Sequence, residues 1–291
     1  DHLLTKTNVR FIGEFYTPES IVEHLIESAN FRPSALFNGE HVVDPACGGG
    51  MILASLASRV IEYARANHYP NEKIIEVVSN QLHGFDIQPF AITLCKTVLL
   101  ASLYPLLKTG DDSKTLLQNI ELKDPLFHHQ DFWENPLFSY VIANPPFMSI
   151  KREALDFADI YDDILYGHPN LYMMFLWWSV KASRPNAIIS MLLPQSMLSG
   201  SYFERLRKNL EARTNILSIT RMIDRKGIVG DADQQMMTLC LKIKSGDASQ
   251  LPVNLRVTRN GADIKKAVAI QIPQSQIIRT TESASYWLIS E

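Results

Sequence analysis

The sequence predicts a mostly parallel α/β sheet with helices on both faces, and three observations carry that prediction. Strand-length apolar runs alternate with helix-periodic runs along most of the 291 residues, the pattern of a parallel sheet whose crossovers are helices. The run His41–Asp44 passes through the glycine turn Cys47–Gly50 into the helix-compatible stretch Met51–Ala57. That arrangement lets a backbone approach a nucleotide-like ligand closely. A third run, Tyr140–Ala143, stops abruptly at Asn144-Pro145-Pro146-Phe147.

The elements follow in order. Pro18 to about Asn30 reads as a helix, with Ile21, Val22, Leu25 and Ile26 on one face. His41–Asp44 is the first strand, Met51–Asn67 the helix after it, and Asn71–Asn80 a further helical stretch. Leu82–Asp86 is the second strand and Pro89–Leu103 its crossover helix. The segment Lys108–His129 is irregular, with a short strand at Asn119–Leu122, and Phe138–Ala143 is the next strand. Leu171–Ala182 reads as an apolar helix, Ala187–Leu193 as a fifth strand and Gly200–Ala212 as another helix. Ile216–Ile223 and Met236–Ile243 bring the strands to seven; with little helix between them, the last is expected to be antiparallel. From Ser245 the pattern weakens to a strand-like Val253–Thr258 and a polar stretch, Pro273–Ser285.

Bulk properties narrow the class. Apolar residues make up 46% and charged residues 20%, which excludes a disordered chain. The longest apolar run, Leu171–Val180, is broken only by Ser179 and is too short to span a bilayer. No basic-then-apolar leader opens the sequence, so a cytoplasmic protein with no membrane contact is expected. Cys47, Cys95 and Cys240 are odd in number, widely spaced and without a metal-ligand pattern, so neither a disulfide framework nor a metal site is expected. The net charge is −3, but residues 1–150 carry 10 Lys and Arg against 17 Asp and Glu, whereas residues 151–291 carry 18 against 14. Phosphate contact depends on Lys and Arg, so the second half is the side expected to face a nucleic acid, and only weakly.

The Asn-Pro-Pro-Phe corner has a specific chemistry. A carboxamide at a strand tip offers both a donor and an acceptor. Two prolines remove backbone donors and stiffen the turn, so its carbonyls point outward. Phe147 supplies an aromatic face within reach of whatever the amide holds. A planar ligand with an exocyclic amino group, such as a nucleobase, fits this corner; the tetrapeptide alone equally admits a strand-ending turn with a capping Asn. The glycine turn and two acidic strand ends, Asp44 and Asp86, favour the first reading, because an acidic residue closing the second strand is where doubly wound folds read ribose hydroxyls.

Five blocks then occur in a telling order: Phe15-Tyr16-Thr17-Pro18, Asp44-Pro45-Ala46-Cys47-Gly48-Gly49-Gly50, Asp86-Ile87, Asp131-Phe132 and Asn144-Pro145-Pro146-Phe147. This set resembles the adenine-N6 DNA methyltransferases, in particular the branch of type I modification subunits and fused restriction–modification enzymes. The resemblance covers the chain from about Gly13 to about Lys244. It implies a Rossmann-like S-adenosylmethionine-dependent methyltransferase fold with a seven-stranded sheet, and transfer of a methyl group from S-adenosylmethionine to N6 of a flipped adenine. It implies double-stranded DNA as substrate, and specificity or restriction subunits, or fused domains, as partners. It also implies a division into residues 1–246 as the catalytic domain, of which 1–38 contact the cofactor, and 247–291 as a linker and the truncated start of a target-recognition domain, opening at Tyr286-Trp287-Leu288-Ile289.

Residue by residue, the resemblance places the methionine end of the cofactor against Ala46, Cys47, Gly48 and the Tyr16-Thr17-Pro18 segment, with Asp44 near its amino group. Asp86 would accept from both ribose hydroxyls and Ile87 would cover one adenine face. Asp131 would accept from the adenine amino group, with Phe132 beside it. Asn144 and the Pro145 carbonyl would accept the two N6 hydrogens of the target base, Pro146 would hold the turn, and Phe147 would stack on the base. Two departures stand out: Gly49 replaces the usual Ser, and Gly227-Ile228-Val229-Gly230 lacks the aromatic that often supplies a second face for the base.

Other residues have plainer readings. Trp177 and Trp178 read as core, while Tyr172, beside Asn170-Leu171, is left between core and site. Ser196, Cys95, His128 and His129 lack nucleophile or metal partners at suitable spacing. Arg205, Arg207, Lys208 and Arg213 read as a solvated helix face. The competing functions are methylation of an RNA adenine or a protein glutamine, and a non-catalytic cofactor- or DNA-binding scaffold.

Overall fold

The computed structural model describes residues 17–108, 115–150, 158–165, 170–224, 234–246, 251–280 and 285–287. The expected first helix is α1 (Glu19–Ser28), followed by a short α2 (Pro33–Phe37) and strand β1 (Val42–Asp44). Helices α3 (Met51–Ala66) and α4 (Asn71–Gln81) lead to β2 (Leu82–Asp86), and α5 (Pro89–Leu103) crosses back to β3 (Ile120–Leu122). A single turn, α6 (Gln130–Trp133), precedes β4 (Phe138–Ala143), and α7 (Leu171–Ala182) runs into β5 (Ser183–Pro194). Next come α8 (Ser196–Ser199), α9 (Glu204–Arg213), β6 (Thr214–Met222) and β7 (Met236–Ile243).

Alternation along the strands explains why both faces are covered. Val42, Tyr140 and Ile142 join one apolar cluster with α1 to α5, while Val43, Val141, Ala143, Ile189 and Met191 join the other with α7 and α9. Such period-2 division of wholly buried strands is what a sheet sandwiched between helix layers requires. Every residue of α7 except Lys181 is buried, so Trp177 and Trp178 are core, as read from the sequence. Among the described residues one helical stretch, Pro89–Leu106, is long and apolar enough to cross a membrane; it forms α5 and the turn after it, with Ala91, Ile92, Cys95, Leu99 and Leu103 buried.

Among the described residues the sheet has nine strands, not seven, in the order β3-β2-β1-β4-β5-β7-β6-β8-β9. The first seven positions are mostly parallel, and β7 is antiparallel to both β5 and β6, as expected. The two additional strands are β8 (Val253–Thr258), parallel to β6, and β9 (Ile270–Ile272), antiparallel to β8. Their short apolar patterns carry Asn254, Arg256 and Gln271 between the apolar residues, so neither reads as sheet core without its partner. The division expected at residue 246 therefore does not coincide with an edge of the sheet.

The last described residues pack on the same body. Helix α10 (Gln274–Ile277) and the hairpin β10 (Ile278–Thr280) with β11 (Ser285–Trp287) follow β9. Trp287 is buried in the main core and donates through Nε1 to Glu211 Oε1 at 2.9 Å. The basic cluster on α9 also needs correction at one member. Arg207 is not solvated but wholly buried, donating to the carbonyls of Met197, Gly200 and Ser285 at 2.8–2.9 Å. A guanidinium is buried here because it satisfies three carbonyls that strand and helix ladders leave open. The helix expected from Gly200 starts at Glu204 instead, because Gly200 is extended (φ −60°, ψ 134°) and ends α8.

Candidate active site

The strand order turns back beside β1, whose neighbours are β2 on one side and β4 on the other. This is the topological switch point at which open α/β sheets bind ligands, beyond the carboxyl ends of the strands. Val43 lies opposite Val141, and Asp44 opposite Gly84. By that register Asp86 and Asn144 each reach two residues beyond Asp44, on opposite sides of it. At ordinary strand spacing their backbones stand about 10 Å apart, with Asp44 recessed about 7 Å between them. The result is a cleft with an acidic floor, a carboxylate on one wall and a carboxamide on the other.

The glycine turn forms one lip of this cleft. Cys47 N–H donates to the Phe85 carbonyl at 2.9 Å, and Gly50 N–H to the Cys47 carbonyl at 2.8 Å. Gly48 (φ +50°) and Gly50 (φ +85°) are left-handed, a conformation that side chains resist. Nothing lies within 4 Å of where a Gly48 Cβ would be, whereas a Gly50 Cβ would lie 2.7 Å from Cys95 Sγ. One glycine thus opens the lip and the other lets α3 pack against α5. Gly48 N–H donates to Asp86 Oδ2 at 3.0 Å and Gln88 N–H to Asp86 Oδ1 at 2.8 Å, which fixes the carboxylate at the strand end. Asp44 Oδ1 accepts from Ala46 N–H at 3.1 Å. Burial pushes the Asp44 carboxyl up to about 7, eased by the Ala46 N–H and raised further by neighbouring Asp86.

On the opposite wall Asn144 Nδ2 donates to Thr17 Oγ1 at 2.9 Å. Its Oδ1 is buried and has no hydrogen-bond partner among the described residues, a costly state for an amide oxygen unless something else is to occupy the cleft. Pro145 is buried and Pro146 and Phe147 are partly exposed. Phe147 meets Tyr172 edge-on, with centroids 6.4 Å apart, and Tyr172 stacks on Phe203 at 5.6 Å. The Leu171 N–H donates to the Met148 carbonyl, so the N-terminus of α7 is tied directly behind the corner. Tyr172, left open by the sequence, is buried behind Phe147.

The residues expected around the cofactor's adenine, Asp131 and Phe132, are arranged differently from the simplest expectation. Asp131 lies on α6, half exposed and ion-paired with Lys123 at 2.7 Å. Phe132 is buried among Phe85, Phe138 and Trp178, so it supports α6 from the core side. Lys123 follows β3 and donates its backbone N–H to the Asp86 carbonyl at 2.9 Å, which puts the Lys123–Asp131 pair next to the end of β2. Ile87 is partly exposed just beyond Asp86. Tyr16 and the loop Gly227–Gly230 lie outside the described residues, so the structure does not bear on either.

Over residues 80–228 the chain matches the Eco57I restriction-modification methylase family. The chain is a member of that family. Among curated proteins it is 25% identical over 150 residues to the type I restriction enzyme MjaIX methylase subunit of Methanocaldococcus jannaschii, covering 52% of this chain and 22% of that protein. It is 23% identical over 203 residues to the adenine-specific methyltransferase PglX of Streptomyces coelicolor, covering 50% of this chain and 17% of that one. Among solved structures, the type I restriction enzyme EcoKI M protein superposes with a TM-score of 0.63 at 18% identity, over 83% of this chain and 48% of its own. The fold is that of the S-adenosylmethionine-dependent methyltransferases. This chain spans about a fifth of the length of the two curated relatives.

The matched region of this family member contains Asp86, Ile87, Asp131, Phe132 and the whole Asn144–Phe147 corner; Thr17, Asp44 and the glycine turn precede it. The residues present fit S-adenosylmethionine. The cleft offers two carboxylates to a cofactor that carries a cationic sulfonium and an ammonium, and open space over Gly48. The sequence did not reveal that Thr17 touches Asn144, because 127 residues separate them. Nor did it reveal Phe203 behind Tyr172, a contact made by elements far apart in the chain.

Proposed function

We propose that this chain is the catalytic part of a DNA adenine-N6 methyltransferase of a restriction–modification system. Its carrying observation is the buried, unpartnered Asn144 Oδ1 at the tip of β4, next to the acidic floor. S-Adenosylmethionine would be held by Asp44, Ala46, Cys47, Gly48 and Asp86, with Tyr16, Thr17, Pro18, Ile87, Asp131 and Phe132 around it. Bound there, it would supply an electrophilic methyl group. Two relatives, a type I restriction enzyme methylase subunit and an adenine-specific methyltransferase, support the same chemistry.

Adenine N6 is a poor nucleophile because its lone pair is delocalised into the ring. Asn144 Oδ1 and the Pro145 carbonyl accept its two hydrogens and thereby localise the lone pair as the new bond forms. These bonds strengthen toward the transition state, which is the condition for lowering the barrier. The cleft also holds donor and acceptor in line, and Phe147, braced by Tyr172, stacks on the base. In a duplex the base must first leave the stack. Contact with double-stranded DNA through this chain is proposed to be weak and mainly with phosphates, in keeping with the charge balance. Specificity or restriction subunits, or fused domains, are the proposed partners. A reducing cytoplasm is the proposed setting, in keeping with the three free cysteines.

The decisive experiment is Asn144→Ala in the intact protein. Single-turnover transfer from labelled cofactor to duplex DNA should fall by about a hundred-fold or more, while calorimetric affinity for S-adenosylmethionine stays nearly unchanged. A variant keeping most of the wild-type rate would remove Asn144 from the chemistry. Methyl label appearing in RNA or protein instead of DNA would move the activity to another substrate class.

A further inference from the structure

We infer that Thr17 is a positioning residue for Asn144: its hydroxyl fixes the orientation of the carboxamide so that oxygen, not nitrogen, faces the cleft. The inference rests on the methyl-transfer reading and adds to it a residue whose part in the step is exerted through Asn144. The geometry is direct. Asn144 Nδ2 donates to Thr17 Oγ1 at 2.9 Å, while Oδ1 is buried without a partner among the described residues.

A carboxamide can turn by half a rotation and exchange its two ends. A hydroxyl tolerates both ends, since it can accept or donate, but an incoming amino group does not. With the amide reversed, two N–H groups would confront the amino hydrogens of the base, donor against donor. With Thr17 accepting from Nδ2, the chain of polarity runs from the base amino group through Oδ1 and Nδ2 to Oγ1. Hydrogen bonds in such a series strengthen one another, so the bond to Thr17 makes Oδ1 a better acceptor.

Thr17 is suited to act as a fixed post. It is only 7% exposed, and as the residue before Pro18 its backbone is confined to extended conformations. The Pro18 carbonyl accepts from the N–H groups of Ile21 and Val22, opening α1. Ile21 and Leu25 on that helix are wholly buried, so the core fixes the hydroxyl relative to β4. The β-branched side chain restricts χ1 further. The same element of sequence that was expected to contact only the cofactor thus also braces the catalytic amide.

The test compares Thr17→Val, of nearly equal shape, with Thr17→Ser, which keeps the hydroxyl, in the intact protein. At saturating S-adenosylmethionine, Thr17→Val should slow single-turnover methyl transfer by about ten-fold or more with melting temperature little changed, and Thr17→Ser should restore most of the rate. A Thr17→Val rate within about two-fold of wild type at saturating cofactor would overturn the inference. Crystal structures of wild type and Thr17→Val provide a readout independent of turnover. The variant should show Asn144 turned or in two orientations; an Asn144 unmoved in the variant would overturn the inference as well. Should the wild type transfer no methyl group to DNA, the proposed function fails, and the crystallographic comparison still decides whether Thr17 sets the amide.

Discussion

Asp44 is the residue in the cleft whose ionisation the fold controls most strongly. Complete burial raises its carboxyl to about 7, against one compensating N–H from Ala46 and with Asp86 adding to the rise. Near neutrality the group is therefore divided between acid and carboxylate. A cationic ligand beside it binds only to the carboxylate, so the proton must leave first. Affinity for S-adenosylmethionine should fall as pH drops through 7, by about ten-fold between pH 8 and pH 6. Above pH 8 it should level off. Asp44→Asn should bind more weakly and lose most of this dependence. Calorimetric titration at several pH values measures both, and a flat wild-type profile between pH 6 and 8 would separate Asp44 from the cofactor. Asn144 contrasts with it in the proposed reaction: Asp44 would act through charge in the ground state, Asn144 through an uncharged acceptor for the reacting atom.

At the scale of elements, the glycine turn joins β1 to α3 and seats α3 on α5. The positive φ of Gly50 and the closeness of Cys95, whose Cα would lie 3.0 Å from an added Cβ, oppose any side chain there. Gly50→Ala should cost about 2 kcal/mol or more and weaken cofactor binding with it. Gly49, which stands where the family usually has Ser, is a different case. An added Cβ would meet Leu94 Cδ2 at 2.9 Å, the flexible end of a side chain that is 42% exposed and free to swing outward. Gly49→Ser should therefore be nearly neutral in urea denaturation; a loss as large as that of Gly50→Ala would show that the turn, not Leu94, sets the limit. Elements of this kind were legible in the sequence because their signals are local: α5, β2, β4, α7 and β7 begin and end where periodicity and turn residues put them. What was not legible depends on distant partners. β8 reads as strand-like from its own residues, but its place in the main sheet depends on β6; Arg207 becomes core only because three carbonyls converge on it, and Thr17 meets Asn144 across the fold. The site residues at strand ends were foreseen because a strand end is itself a local signal; the contacts that orient them were not.

Across the whole molecule, groups that titrate near neutrality oppose one another. His24, on the buried face of α1, shares a 3.0 Å hydrogen bond with Thr220, and burial lowers its pKa to about 4, with Arg256 adding to the shift. His41 and His83 share a 2.9 Å hydrogen bond where β1 and β2 begin, at the rim opposite the cleft. Burial, with His41 nearby, lowers His83 to about 3, and burial with Arg184 nearby lowers His41 too. For a base with a depressed folded pKa, stability is full above the unfolded value of about 6.5 and is lost as pH falls below it, until the folded pKa is reached. By pH 5, His24 and His83 should each have cost about 2 kcal/mol. Buried Asp44 and partly buried Asp124, whose carboxyls burial raises, act in the opposite sense, since their protonation in the folded state gains stability as pH falls. The net pH profile of the wild type is thus a difference of large terms, and only variants isolate each part. The stability advantage of wild type over His83→Gln, measured by urea denaturation, should shrink by about 2 kcal/mol between pH 7.5 and pH 5, and likewise for His24→Gln. An advantage that stays constant over that interval would mean that these imidazoles protonate in the folded state as readily as in the unfolded chain. Asp44's share of the carboxyl gain should vanish at saturating S-adenosylmethionine if Asp44 meets the cofactor, because the bound form holds Asp44 ionised. Acid lability would then be greater for the loaded protein than for the free one, with the histidines at the far rim setting the loss and the ligand in the cleft removing what offset it.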